Sequence, residues 1–263
     1  MVEVRDAATV IVVRDGDDGR MQVCMLGRNV ESEFTRGAYV FPGGAVDDDD
    51  RHADLEPICE GRADPVASAL LGVEHGGLAF WVAGIRECFE EAGLLLAYAE
   101  DGKLLRLEDH DDVETFAAHR RAVDAGERRL VEVCAEEGLR LAVDGMHYFS
   151  HWITPEGQPR RYDTRFFIAR APDAQEALHD EVETIASVWI TPAEALARFE
   201  AGTLELMPPT MVTLRQIGRF ERADELLAAA AQTTDVPTIQ PRVVKDQGGI
   251  RILLPGDEGF DDA

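Results

Sequence analysis

AGIRECFEEAGLLL, residues 83–96, places one arginine and three glutamates within six positions of an otherwise apolar run. Glu87, Glu90 and Glu91 stand at i, i+3 and i, i+4, so a helix over about 79–93 puts them on one face. Trp81, Ile85, Cys88 and Phe89 supply the apolar side that anchors this helix, and Gly93 terminates it. Three like charges on one face repel. The repulsion is removed if the face holds Mg²⁺ or Mn²⁺, which take carboxylate and water oxygens. Arg86, four residues before Glu90, can orient or neutralise that carboxylate. From the helix alone, a solvated acidic face with an Arg–Glu pair fits equally well.

The stretch upstream shifts that balance. GAYVFPGGAV (37–46) reads as an extended piece broken by Pro-Gly-Gly. Gly43 and Gly44 permit close backbone approach. A glycine loop and a carboxylate helix together can cradle a diphosphate and bind its metal.

With these residues in view the chain resembles the Nudix hydrolase family. That signature runs glycine, five residues, glutamate, seven residues, then Arg-Glu, an apolar residue, any residue, Glu-Glu, any residue, glycine and an apolar residue. Gly44 opens it here, and Arg86-Glu87-Cys88-Phe89-Glu90-Glu91-Ala92-Gly93-Leu94 closes it. The resemblance implies a mixed β-sheet sandwich flanked by helices. It implies that Gly44 shapes the loop, Arg86 orients the carboxylates, and Glu87, Glu90 and Glu91 bind Mg²⁺ or Mn²⁺. One departure is large. Counting from Gly44, the glutamate position holds Asp50, and the interval from there to Arg86 is 28 residues longer than usual. Whether Asp50 or another residue of the insertion takes the glutamate's place stays open at this level.

A split signature resembles the branch that holds the peroxisomal coenzyme A diphosphatase of animals and its bacterial relatives. LGRNVESEFTRGAYVFPGG (26–44), WITPEGQPRRYDTRFFIARAP (152–172) and LMPPTMVTLRQI (206–217) resemble that group as well. The reaction this implies is metal-assisted hydrolysis of a nucleoside-linked diphosphate. Coenzyme A or its thioesters would give adenosine 3′,5′-bisphosphate and (acyl-)4′-phosphopantetheine. NADH, ADP-ribose and nucleotide sugars are the rival substrates. A nucleotide sensor without catalysis is a different class, disfavoured because all three helix glutamates are present.

Arg28, Arg36, Arg160, Arg161 and Arg165 are the candidate phosphate contacts. Arg165, in Asp163-Thr164-Arg165, can instead pair with a neighbouring carboxylate. Trp152, Tyr162 and Phe166 could stack on a base, although core packing is the commoner role for each. Some relatives of the family draw a general base from the region of HDEVET (179–184), so Glu181 and Glu183 join Glu90 and Glu91 as candidates. Cys88 takes the signature's apolar position and reads as core rather than nucleophile.

The chain has 263 residues and a formal charge of −25. That charge argues against general binding of nucleic-acid backbones. An anionic substrate remains compatible, because bound divalent cations reverse the local field. Cys24, Cys59, Cys88 and Cys134 form no CxxC pair and no zinc spacing, which suits a reduced, cytoplasmic protein. No apolar window of membrane-spanning length is present, and the N-terminus lacks a signal-peptide profile.

Strands are expected at 7–13, 20–28, 147–157, 160–172 and 182–190, with helices at 111–137 in two parts about Gly126, from Thr191 onward, and over 208–232. Mixed strands with peripheral helices make an α/β or α+β domain. The expected organisation is one domain over 1–263, an insertion at 47–78 holding a short helix near DPVASALLG, a helical insertion at 111–137 and an extended tail at 233–263. A homodimer is an expectation that no sequence patch localises.

Overall fold

The structure, a computed structural model, describes residues 2–28, 37–177, 184–246 and 249–260. The strands are β1 (Val4–Asp15), β2 (Met21–Arg28), β3 (Ala38–Val40), β4 (Gly43–Ala45), β5 (Ala97–Tyr98), β6 (Arg140–Leu141), β7 (Met146–Ile153), β8 (Arg161–Arg170), β9 (Thr184–Ile190), β10 (Glu205–Leu206), β11 (Thr238–Ile239), β12 (Arg242–Asp246) and β13 (Gly249–Leu253). The helices are α1 (Asp64–Leu71), α2 (Leu78–Ala92), α3 (His110–Asp124), α4 (Leu130–Glu137), α5 (Pro192–Glu200), α6 (Pro208–Ile217) and α7 (Ala223–Ala231).

The main sheet is mixed, with order β10-β3-β2-β1-β8-β7-β11. The central strand β1 runs parallel to β8 and antiparallel to its other partners. Its last residues pair with β2, while Ala7, Ala8 and Thr9 pair with Ala45, Gly44 and Gly43 of β4. The glycine loop is therefore fixed to the middle of the sheet.

Both faces of β1 are covered, which explains the near-continuous apolar run AATVIVV, interrupted only by Thr9. Ala8, Val10 and Val12, with Phe167 and Ala169 of β8, face a core containing Trp81, Ile85 and Phe89 of α2. Ile11, Val13, Phe166 and Ile168 face a second core with Ala195, Leu214, Ile217 and Leu226 from α5, α6 and α7. The result is a mixed α/β fold, a sheet flanked by helices on each side.

The polar connection 47–78 folds back on itself rather than looping freely. It contains two short 3₁₀ turns and α1. Asp64 accepts hydrogen bonds from the backbone N–H groups of Gly76 (3.0 Å) and Leu78 (2.9 Å). One carboxylate thus joins the start of α1 to the start of α2, supplying an acceptor that α2's first turn otherwise lacks. The segment 111–137 divides as expected into α3 and α4, and Thr191 caps α5 by accepting from Glu194 N–H at 3.2 Å.

The single helix expected over 208–232 is in fact two. α6 ends at Gly218, whose N–H still reaches Leu214 O at 2.9 Å. The chain then turns, and α7 restarts where Asp15 of β1 accepts from Ala223 N–H at 2.9 Å. The apolar spacing continues through the break, so periodicity alone carries the helix too far.

All four cysteines are free and buried. Burial lifts the Cys88 thiol well above its usual range, consistent with a packing role. No helix among the described residues is long and apolar enough to cross a membrane.

Candidate functional site

The site is built where α2 crosses β4. α2 lies close over the sheet because Gly84 has no side chain; a Cβ there would meet Val10 Cγ2 at 2.9 Å. Further along the same face, Glu87 packs on Gly44, where a Cβ would lie 2.4 Å from Glu87 Oε1. One turn later Glu91, only 5% exposed, accepts from Gly43 N–H at 2.8 Å. Arg28, at the end of β2, approaches the other oxygen of Glu91 at 3.6 Å. The two glycines are thus the surface against which two carboxylates are seated.

Arg86 organises the remainder. Its Nη1 donates to Glu87 Oε1 at 2.9 Å and to Glu90 Oε2 at 2.8 Å. Its Nε and Nη2 donate to the two oxygens of Asp50, at 2.9 and 2.8 Å. Nη2 also donates to Ala45 O, at 2.9 Å. Asp50 sits in the first 3₁₀ turn and accepts from Asp47 N–H at 2.9 Å. The residue counted from Gly44 is therefore the two-point partner of the signature arginine, and the insertion folds so that the pair can close.

Among the described residues, Asp50, Glu87, Glu90 and Glu91 crowd around Arg28 and Arg86 in a poorly solvated place, and the more exposed Asp47 lies 3.6 Å from Arg86. Burial pushes the Glu87 carboxyl up to about 8; Arg86 opposes that shift, while the charges of Glu91 and Glu90 add to it. Burial likewise pushes Glu90 up to about 7 against the pull of Arg86. Asp50 is raised by burial and lowered in part by its arginine bonds. Burial disfavours the Arg86 charge, yet its carboxylate partners outweigh that and hold it above its usual value. Clustered carboxylate oxygens whose charge is disfavoured by burial fit a divalent cation of the Mg²⁺ or Mn²⁺ kind.

A profile described as the NUDT19 Nudix domain matches residues 67–217, more than half of the chain. The chain belongs to the Nudix hydrolase family. The matched span starts after the glycine loop and Asp50, so the geometry above supplies the missing half of the Nudix signature. Two relatives named acyl-coenzyme A diphosphatase NUDT19 are similar along most of the chain. The human protein is 26% identical over 90% of this chain and 72% of its own length. The chicken (Gallus gallus) protein is 27% identical over 97% and 79%. A Nudix hydrolase of Alicyclobacillus acidocaldarius has the same fold, with a TM-score of 0.72 at 24% identity over 90% of this chain and 99% of that one.

The Nudix frame also shows which other residues reach the site. Arg120 of α3 donates to Glu90 O (2.9 Å) and Glu91 O (3.0 Å), tying the end of the Nudix helix to the 111–137 segment. Nothing in its local sequence marks it for this. His119, Glu136 and Glu137 form a second group that could hold a divalent cation, with three ligand atoms within 4.8 Å of one another. Arg128 already bonds His119 Nδ1 at 2.8 Å and pairs with Glu136 there.

Several sequence candidates lie elsewhere. Arg161 donates to Thr154 O at 3.1 Å and pairs in register with Val4, four residues from Ala8. That is about 13 Å along β1 from the glycine row. Arg165 is buried and pairs with His151 and Asp163, two strands from Gly44. Trp152 and Phe166 are buried in the second core, which removes them as base-stacking surfaces. Arg36, Glu181 and Glu183 lie outside the described residues.

Proposed function

We propose that this Nudix hydrolase cleaves the phosphoanhydride of coenzyme A or acyl-coenzyme A, releasing adenosine 3′,5′-bisphosphate and (acyl-)4′-phosphopantetheine. The coarser reaction, metal-dependent hydrolysis of a nucleotide diphosphate, follows from the family and from the carboxylate cluster. The observation that carries the substrate reading is the extent of similarity. Relatives named acyl-coenzyme A diphosphatase align across nine-tenths or more of the chain, well beyond the signature.

In this reading Glu87, Glu90 and Glu91 hold the divalent cation, which would neutralise the diphosphate and acidify a water. Arg86 keeps Glu87 and Glu90 in register, and Asp50 keeps Arg86 in register. Gly43 and Gly44 leave room for the carboxylates and set Glu91 through a backbone N–H. Arg28, beside Glu91, is positioned to meet a phosphate oxygen entering over the loop.

Purified protein with Mg²⁺ or Mn²⁺ should be offered coenzyme A, acetyl-coenzyme A, NADH, ADP-ribose and nucleotide sugars. The fastest cleavage is expected on the coenzyme A compounds. Preference for NADH or ADP-ribose would sink the substrate and leave the reaction class standing. No turnover of any compound would sink both.

A further inference from the structure

The geometry points to a second anion site, built to take a phosphate monoester or free phosphate, in the cavity between α1, β7, β8 and the end of α7. This cavity, of about 540 Å³, is lined by Arg62, Arg165, His147, His151, Tyr148 and Trp81, among others.

Four buried side-chain nitrogen or oxygen atoms lack a hydrogen-bond partner among the described residues, and two of them are Arg62 Nε and Arg165 Nε. Both arginines line this one cavity. Arg165 is only 5% exposed. A guanidinium N–H withdrawn from water and left unbonded is unfavourable unless something else accepts from it. Arg62 lies over the Trp81 ring at 4.8 Å, which fixes the guanidinium by its face and leaves its edge for a ligand. Arg165 is steadied in the same way, with Phe80 at 5.3 Å. His151 extends the polar wall: its Nδ1 meets Thr238 Oγ1 at 2.8 Å and its Nε2 meets Asp163 at 2.6 Å.

The opposing charges do not fill the need. Asp163 pairs with Arg165 through Nη1 and leaves Nε unmet. Asp144, which favours the Arg62 charge, is engaged by the Tyr98 hydroxyl at 2.9 Å. Asp235 also lines the cavity, on its solvent-exposed side. In a chain of net charge −25, two arginines that each bring an unbonded Nε–H to one cavity match a compact dianion, which accepts several N–H bonds at once.

The location relates this cavity to the Nudix site. Ala8 pairs with Gly44 on one side and Arg165 on the other, and Arg165 pairs with His151. Gly44 and Arg165 are therefore two strands apart, about 10 Å. α2 spans the same row, with Phe80 at Arg165, Gly84 over Ala8 and Glu87 on Gly44. A phosphate monoester carried by the substrate of the Nudix site and a free phosphate are the two sources of the same chemistry.

Calorimetry on the metal-free protein separates this site from the cation-dependent one. Orthophosphate and adenosine 3′,5′-bisphosphate should each bind, and R62Q or R165Q should weaken both by about tenfold. R62K keeps the charge without the fork and should also weaken binding; it guards against R165Q failing to fold. Absence of binding to wild-type protein, or equal binding by wild type, R62Q and R62K, would overturn the proposal. The source is then decided with Mg²⁺ present, an arm that rests on the coenzyme A reading. A substrate-borne phosphate raises the R62Q KM for coenzyme A and spares dephospho-coenzyme A. A free phosphate leaves both KM values unchanged while binding in the metal-free protein is still lost. If neither compound is cleaved, the substrate reading fails and the calorimetry still decides the site.

Discussion

Asp50 and Arg86, thirty-six residues apart, meet through two hydrogen bonds of 2.9 and 2.8 Å in a largely buried pair. The same guanidinium holds Glu87 and Glu90, so Asp50 acts on the carboxylate face proposed to hold the metal without belonging to it. Removing its charge in D50N leaves Arg86 under-partnered. Loss of one member of a buried pair typically costs about 3 kcal/mol, and outer partners of metal ligands are worth about 10–100-fold in activity or metal affinity. Thermal unfolding and Mg²⁺ titration of kcat check both; unchanged metal dependence would contradict the linkage.

Gly44 is argued from space. A Cβ there would lie 2.4 Å from Glu87 Oε1, and the movable partner is a side chain. G44A should therefore fold, displace Glu87 and lose most activity. A Cβ on Gly43 instead meets the backbone oxygen of Ala8 at 2.4 Å. G43A should destabilise the sheet itself, by about 1–3 kcal/mol. Comparing melting temperature with kcat for the two variants separates these effects.

The pH dependence follows from Glu87 near 8 and Glu90 near 7 in the metal-free protein. A folded-state pKa above the unfolded one means that the folded chain binds the proton more tightly. Its stabilising effect is complete below the ordinary carboxylate range and is lost as pH rises through about 7 to 8. Cations need the ionised carboxylates, so the rise in Tm produced by Mg²⁺ should grow from pH 6 to pH 8.5. A flat response across that interval would exclude these two groups as ligands.

E87Q supplies the complementary case. It removes a buried negative charge that repels Glu90 and Glu91. Above pH 8 the metal-free variant should melt higher than wild type, yet gain less from Mg²⁺ and turn over almost no substrate. Calorimetric scans with EDTA and with Mg²⁺ measure both signs in one series.

Arg120 links α3 to the last carbonyls of the Nudix helix. R120A should cost about 1–3 kcal/mol, the usual loss for hydrogen bonds from a charged donor. It should also raise hydrogen exchange at the C-terminal turn of α2 more than in β1 or β8.

The helical spacing of Glu87, Glu90 and Glu91 is local, and so are the strands of the central sheet and the division of 111–137 at Gly126. These were legible because each depends on neighbours within a few residues. Asp50 could be reached by counting from Gly44, but its contact with Arg86 closes only when the intervening chain is folded. Arg120 and the pairing of Arg62 with Arg165 in one cavity leave no local pattern, since residues far apart in sequence meet only in three dimensions. The break at Gly218 was hidden for a different reason: the apolar spacing runs through it, and the restart of α7 rests on Ala223 N–H donating to Asp15, more than two hundred positions away.

The two-point bond between Asp50 and Arg86 has a polymer-physics consequence. Ring-closure entropy grows only with the logarithm of loop length, so stretching this interval from eight to thirty-six residues adds about 1.3 kcal/mol. One charged hydrogen-bonded pair offsets that. The distance along the chain is therefore a weakly constrained variable, while the angle at which the two side chains meet is a stiff one. Proteolytic nicking within residues 52–61 should leave Arg86 competent to pair as long as the fragments stay associated. The nick would turn a unimolecular closure into a concentration-dependent one, and activity would then fall on dilution.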